Sequence, residues 1–307
     1  MATRYADLPA DDQLGLLMDT QSLTSAGVQP MSDYLDLTKK VPVAVDPVVA
    51  STLTNQLQGA DTLFNGRESQ PAFRAYARGI LKPMFARVGW DARPGESDNT
   101  TILRNDLVAA LNDLGDPEVI AETRARFQKY LANPAAFSAD ARRSLLRNVA
   151  VQADTAVWER LLQMAKGTQS EMERQQLYGL LGAPQDDALT QRALALALSG
   201  EVPATLAPEI VSSTATRHPE VALDFAIRHW DKLSKMLEVT SALQYVPRLT
   251  ANSSDPATID KLNTFAAANV PENARQDYVL AIARVRYYAK VRATRLPEVD
   301  RWLATAH

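Results

Sequence analysis

Cysteine is absent from the 307 residues, which excludes disulfide frameworks, thiolate-bound zinc and cysteine nucleophiles. Histidine occurs only at positions 218, 229 and 307, which removes most hydrolytic metal sites. No run of about 18 apolar residues exists, so no membrane span is expected. The first residues, Met1-Ala-Thr-Arg-Tyr-Ala-Asp-Leu-Pro, lack the apolar stretch of a signal peptide and lead directly into an amphipathic helix. Charge of one sign is lacking too. The 33 Lys and Arg stand against 36 Asp and Glu, a net −3 that does not favour nucleic acid or an anionic membrane as partner.

Known chemical signatures are also missing. There is no Gly-x-x-x-x-Gly-Lys or Gly-x-Gly-x-x-Gly loop to cradle phosphate, and no Gly-x-Ser-x-Gly elbow for a serine nucleophile. A helical zinc site needs two histidines four apart. His218 and His229 are eleven apart, roughly 16 Å along a helix, and Pro219 starts a new helix between them. The pairs Asp11-Asp12 and Asp186-Asp187 lie at expected helix starts, where negative charge suits the dipole; no third carboxylate follows one turn on to make a magnesium motif. Asn99-Thr100-Thr101 and Asn252-Ser253-Ser254 fit the glycosylation acceptor pattern, which carries weight only in a secreted chain.

The residues that are present spell helices. Leu103, Leu107, Leu111 and Leu114 fall on one helical face. Similar stripes follow at Leu145, Leu146 and Val149, at Leu161, Leu162 and Ala165, at Leu177, Leu180 and Leu181, and at Ala193, Leu194, Ala197 and Leu198. Alanine, the best helix former, is the commonest residue and lets helices approach closely. Asp46-Pro47, Asp116-Pro117 and Asp255-Pro256 each place a capping carboxylate before a proline at the first helical position. Ser170-x-x-Glu173 reads as a capping box. Val41 to Val49 is the nearest approach to a strand, and Pro42, Asp46 and Pro47 interrupt it. The expectation is an all-α chain of about fourteen to sixteen helices. That number favours a superhelical stack of antiparallel pairs, HEAT- or armadillo-like, over a single bundle. Tryptophans at 90, 158, 230 and 302 are nearly evenly spaced, but only Trp158-Glu-Arg-Leu and Trp230-Asp-Lys-Leu have similar neighbourhoods.

Near the end, Arg284, Arg286, Lys290, Arg292 and Arg295 surround Tyr287-Tyr288. Arg284, Tyr288 and Arg295 fall on one face of a continuous helix. Two readings stand: a cationic wall for a carboxylate such as a peptide C-terminus, or a solvated helix whose basic residues suit its C-terminal dipole end.

The order of several short motifs resembles a known family. Asp11-Asp12-Gln-Leu-Gly-Leu-Leu-Met-Asp19 and Leu23-Thr-Ser-Ala-Gly27 are followed by Val88-Gly89-Trp90, Leu103-Arg104 and Ala110-Leu-Asn-Asp-Leu-Gly-Asp116. Then come Leu180-Leu-Gly-Ala183, Arg217-His-Pro219, Ala226-Ile-Arg-His-Trp-Asp-Lys-Leu233 and Leu296-Pro-Glu-Val-Asp-Arg-Trp302-Leu303. Together they resemble the C-terminal helical domain of the gluzincin zinc aminopeptidases, the aminopeptidase N, puromycin-sensitive and endoplasmic-reticulum types, over nearly the whole of 1–307.

The resemblance implies a single bowl-shaped superhelical domain, with a candidate subdivision near residues 90–100. In such enzymes this domain covers the active site and shapes the peptide-binding cavity of a metallopeptidase that removes N-terminal residues. It also implies zinc in a catalytic domain of the same polypeptide and no cofactor in this chain, where nothing matches His-Glu-x-x-His or Gly-x-Met-Glu-Asn. This chain alone is therefore expected to be inactive, with no catalytic and no metal-binding residue. The implied partners are that catalytic domain and the C-terminal part of a peptide substrate. The natural chain is then expected to begin upstream of Met1, leaving the compartment, cytoplasmic or periplasmic, open.

Placement at helix junctions makes Arg217, Tyr245, Arg248 and Arg284 the candidate peptide-binding residues, against the alternatives of cap, core tyrosine or surface charge. Arg104 is expected to anchor neighbouring helices through carboxylate or carbonyl contacts. Leu14, Leu17, Met18 and Leu35 are expected to form an apolar docking surface. The alternative to a peptidase domain is a stand-alone helical-repeat scaffold that binds protein.

Overall fold

A carboxylate placed before proline accepts the orphan N–H groups of a helix's first turn, and the proline gives up no hydrogen bond there. All three Asp-Pro starts work this way. Asp46 Oδ1 accepts from Val48 N at 2.8 Å, Asp255 Oδ1 from Ala257 N at 3.0 Å, and Asp116 Oδ1 from Glu118 N and Val119 N at 3.1 Å. At Ser170 only half of the capping box forms. Its Oγ accepts from Glu173 N at 3.3 Å, but the Glu173 carboxylate takes the Thr168 hydroxyl, and Thr168 Oγ1 accepts from Ser170 N at 3.2 Å. The reciprocal bond is relayed through Thr168.

The structure is a computed structural model that describes residues 2–305, without the side chains of Ala2 and Thr3; Met1 and His307 of the sequence reading lie outside the described residues. The α-helices are α1 (Ala10–Ala26), α2 (Met31–Thr38), α3 (Pro47–Leu63), α4 (Gln70–Val88), α5 (Asp98–Asp113), α6 (Pro117–Ala132), α7 (Ala139–Val151), α8 (Thr155–Gly167) and α9 (Glu171–Leu180). They continue with α10 (Asp187–Ala197), α11 (Ala207–Ala215), α12 (Pro219–Arg228), α13 (Trp230–Leu233), α14 (Val239–Arg248), α15 (Ala257–Asn269), α16 (Gln276–Thr294) and α17 (Leu296–Thr305). No strand occurs among the described residues. The all-α class expected from the sequence is the class observed. The helix count exceeds the expected range because the run through Ala226–Leu233 breaks at His229, whose φ of −112° and ψ of 21° leave the helical region.

The chain gathers into two compact units, one of Met1–Thr123 with Lys290–His307 and the other of Arg124–Ala289. In the first, α3 packs on α5, α4 on α5, α1 on α2 and α3, and α17 on α2 and α4. Its core includes Leu53, Leu57, Phe73, Leu81 and the whole predicted stripe Leu103, Leu107, Leu111 and Leu114. Leu17 and Leu35 are also fully inside this core, so the expected docking surface of four residues is not present. The reason is that α1 turns Gln13, Leu17, Thr20 and Thr24 inward, with the Gln13 and Thr24 side chains hydrogen-bonded locally. Gln13 bonds Tyr5, and Thr24 bonds the Thr20 carbonyl. Met18 alone of the four is exposed, at 50%.

The last helix closes this unit. Leu296 and Val299 enter the core, Arg67 pairs with Asp300, and the Trp302 indole donates to Asp36 Oδ1 at 3.1 Å. The Lys39 ammonium lies 4.0 Å from the Trp302 ring. Arg292 donates to the carbonyls of Leu63 and Asn65 at 2.7 Å each, satisfying the end of α3. Arg295 pairs with Glu298 at 2.7 Å and lies 3.3 Å from where a β-carbon on Gly27 would stand. Gly27 ends α1 at a φ of +82°, a conformation that only glycine adopts cheaply. Arg104, as expected, is an anchor. It is 5% exposed, bonds the Gly89 carbonyl at 3.1 Å and pairs with Glu96. Hydrogen bonding from that guanidinium holds the Glu96 carboxyl near 2, well below its ordinary 4.5.

In the second unit helices adjacent or next-but-one in the chain stack on one another: α7 on α8, α8 on α9, α9 on α11, α10 on α11, α11 on α12, and α12 on α14. Trp158 is the largest side chain fully buried here, and its Nε1 donates to the Leu181 carbonyl at 3.0 Å. The next residue, Gly182, lets α9 close on α11. A β-carbon there would stand 2.3 Å from the Ile210 carbonyl oxygen.

Candidate functional site

All four sequence-derived candidates fall in the Arg124–Ala289 unit. Helix α14 carries two of them on different faces. Tyr245 is inside the core, with its hydroxyl donating to the Pro208 carbonyl at 2.7 Å at the start of α11. Burial raises its pKa far above the ordinary tyrosine value. It joins α14 to α11 and presents no free polar atom outward. Arg248, in the last turn of the same helix, is exposed and donates to the Gln244 side-chain carbonyl. That partner is a neutral amide and not a carboxylate.

Arg217 is half-buried in the turn between α11 and α12, where its N–H donates to the Thr214 carbonyl at 3.2 Å. The segment after α14 is tied to this turn. Asn252 Nδ2 donates to the Thr216 carbonyl at 2.8 Å, and Ser253 Oγ donates to Glu220 Oε1 at 2.7 Å. The end of α11, the start of α12 and the end of α14 therefore form one hydrogen-bonded corner that carries Arg217 and Arg248. Chemically the corner carries the exposed guanidinium of Arg248, a group that suits a carboxylate. The same Asn252 belongs to one of the two glycosylation-pattern triplets, and its amide is engaged in this corner.

Arg284 stands apart, exposed on α16. The face that the sequence assigned to Arg284, Tyr288 and Arg295 is not a helical face in the structure, because α16 ends at Thr294. Tyr288 is half-buried, and Arg295 serves Glu298 and Gly27 instead. What α16 presents outward beside Arg284 is Val279, Leu280 and Tyr287. The sequence reading did not single out this set. Its signal was present in the apolar residues Val279 and Leu280, which precede the basic cluster on the same helix.

The two described histidines, His218 and His229, make structural contacts. The His218 ring nitrogen Nε2 lies 3.1 Å from the Pro184 carbonyl, and Nδ1 lies 3.6 Å from Asp187. The His229 ring rests on Phe225 with centroids 4.7 Å apart. Among the described residues no group of three His, Cys, Asp or Glu side chains could hold a metal ion. Nor is any helix among the described residues long and apolar enough to cross a membrane.

A family model described as ERAP1-like C-terminal domain matches residues 2–286. Curated relatives agree. Aminopeptidase M1-A of Oryza sativa subsp. japonica is 26% identical over 304 residues, covering 95% of this chain and 35% of that protein. Aminopeptidase M1 of Arabidopsis thaliana is 28% identical over 240 residues, covering 75% and 27% respectively. Aminopeptidase 2 of Candida albicans is 24% identical over 170 residues, 54% of this chain and 18% of that protein. The chain thus spans about a third or less of the length of these relatives. The stand-alone scaffold reading is not favoured by these matches.

Proposed function

The chain belongs to the ERAP1-like C-terminal domain family, and from this we propose that it acts as the non-catalytic helical domain of a zinc aminopeptidase, covering the active site and shaping its peptide-binding cavity. The observation that carries the reading is coverage: 95% of this chain aligns with only 35% of an aminopeptidase. A single activity fits both numbers if the remainder of such an enzyme holds the zinc and the reacting groups. Among the described residues of this chain no group of side chains is suited to hold that ion. Its partners in this reading are a catalytic domain of the same polypeptide and the C-terminal part of the substrate, not nucleic acid.

Peptide contact in this domain is assigned to guanidinium groups. Arg217 and Arg248 on the hydrogen-bonded corner and Arg284 on α16 are the candidates that support it. Tyr245 contributes by holding α14 against α11, since its hydroxyl is already bonded.

The test is made in trans. The chain alone is assayed for zinc content and for hydrolysis of amino-acyl anilides, then added to a separately expressed catalytic domain of the family, with short and long peptides as substrates. The expected result is no activity alone and a length-dependent change in hydrolysis on addition. Stoichiometric zinc with hydrolysis by the chain alone would overturn the reading. So would a catalytic domain indifferent to its presence.

A further inference from the structure

Helix α16 carries an apolar stretch on its outward side. Tyr278, Ala281, Ile282 and Val285 point into the core, as expected, but the outward side carries Val279 at 57% exposure, Leu280 at 54% and Tyr287 at 46%. Ala283 lies between them and is exposed as well. These four fall along the middle of one face over about 12 Å of helix, between Gln276 and Lys290, which are exposed on the same line one turn beyond either end. Arg284 and Arg286, both exposed, lie about 160° apart around the axis, one on each edge of the strip. A solvated face normally reverses this order, with charges in the centre and apolar residues at the margins.

We propose that this face of α16 is a docking site for an acidic amphipathic helix of a partner protein. The occupant follows from the charges. A second copy of α16 packed on the first would bring arginine against arginine, so self-pairing across this face is disfavoured. A basic partner meets the same objection. A helix whose apolar side chains cover Val279, Leu280 and Tyr287 while flanking glutamates reach Arg284 and Arg286 satisfies both features. Ala283 supplies the low point into which a larger side chain fits, as in ridge-and-groove packing. The strip spans little more than two turns, so the contact is small and belongs to the weak, transient class. The site shares Arg284 with the peptide-contact candidates, but it does not rest on the peptidase reading, because the packing of α16 alone carries it.

The probe is a synthetic helical peptide with leucines at i, i+3/i+4 and i+7 and glutamates on both flanks, with a lysine-flanked version of the same apolar face as control. Binding to the full chain is followed by fluorescence anisotropy, and the contact is mapped by amide chemical shifts. The glutamate-flanked peptide should bind about tenfold or more tighter than the lysine-flanked one, with shifts centred on 279–287. The difference should shrink as salt rises. The double variant Arg284→Glu/Arg286→Glu, which changes only exposed side chains, should reverse the preference. Leu280→Ser should weaken both peptides without altering their ratio. Equal binding of the two peptides, a preference unchanged in the charge-reversed variant, or shifts located elsewhere would each overturn the proposal. Failure of the trans-activity test would leave these results untouched.

Discussion

Replacing Gly182 with alanine adds one methyl group where there is no space. The new β-carbon would meet the Ile210 carbonyl oxygen at 2.3 Å, and the Thr214 amide nitrogen and hydroxyl at 2.9 Å each. An unstrained carbon–oxygen contact lies near 3.3 Å, so α9 and α11 must part by about 1 Å. Rotamer changes cannot relieve the clash, because the opposing atoms are mostly backbone. The separation also loosens Leu177 and Leu181 from Ile210 and Val211, all fully buried. A gap of that size forfeits a quarter to a half of each dispersion contact. Overpacking of this kind usually costs about 1–3 kcal/mol, and a backbone-on-backbone contact belongs at the upper end, about 3 kcal/mol.

For a unit of this size that is a fall in Tm of roughly 6–12 °C. The assay is thermal and urea unfolding followed by far-ultraviolet circular dichroism. Gly79→Ala serves as the control. Gly79 is exposed within α4, and no atom lies within 4 Å of where its β-carbon would stand, so the same substitution there should stabilise by about 0.5–1 kcal/mol. Opposite signs for one chemical change isolate the close approach as the cause. Gly182→Ala within about 0.5 kcal/mol of the parent would refute the reasoning and mean that α9 and α11 are not held this tightly.

Trp158→Phe removes the donor to the buried Leu181 carbonyl and should cost about 2–3 kcal/mol in urea unfolding, combining an orphaned acceptor with a small cavity. Because Leu181 adjoins Gly182, the double variant with Gly182→Ala should fall short of additivity, which a double-mutant cycle reads directly. The Glu96 carboxyl titrates near 2 in the folded chain against 4.5 ordinarily, so its contribution is complete above about pH 5 and is lost as pH falls toward 2. Arg104→Met should flatten that acid limb in unfolding curves between pH 5 and 2.5; an unchanged slope argues against the pair. Burial pushes the Tyr5 phenol up to about 12 and raises Tyr34, Tyr76, Tyr245 and Tyr278 as well. These phenols favour the fold below about pH 10 and oppose it above, so phenolate absorbance should rise late and together with loss of helix. A smooth titration of all nine tyrosines near pH 10 with helix intact would contradict their burial.

What the sequence made legible were features decided within one or two helical turns. The Asp-Pro starts and the stripe from Leu103 to Leu114 depend on neighbours a few residues away, and both stand in the structure as read. Features decided by distant neighbours were harder to see. Leu17 and Leu35 look like residues of an open apolar face until the inward turn of Thr20 and Thr24 is known. Arg292 and Arg295 look like part of a cationic wall until Leu63, Asn65 and Gly27, more than two hundred residues earlier, are brought beside them. Arginine is the least legible residue here for a physical reason. Its long side chain can reach a carboxylate, a helix-end carbonyl or solvent from the same backbone position. Arg104, Arg292 and Arg248 take those three fates in turn.

The candidate corner follows the same logic. Arg217-His218-Pro219 marked a helix junction in the sequence, and a junction is what the structure has. Nothing local showed that Asn252 and Ser253 would bond back to Thr216 and Glu220 and so place Arg248 on the same corner. Those bonds join groups more than thirty residues apart, which helical periodicity cannot anticipate. Yet they are what ties the turn that carries Arg217 to the segment that follows Arg248. If the corner does hold a peptide carboxylate, Asn252→Ala should weaken that effect while leaving both arginines in place, because it removes the tie and not the charge.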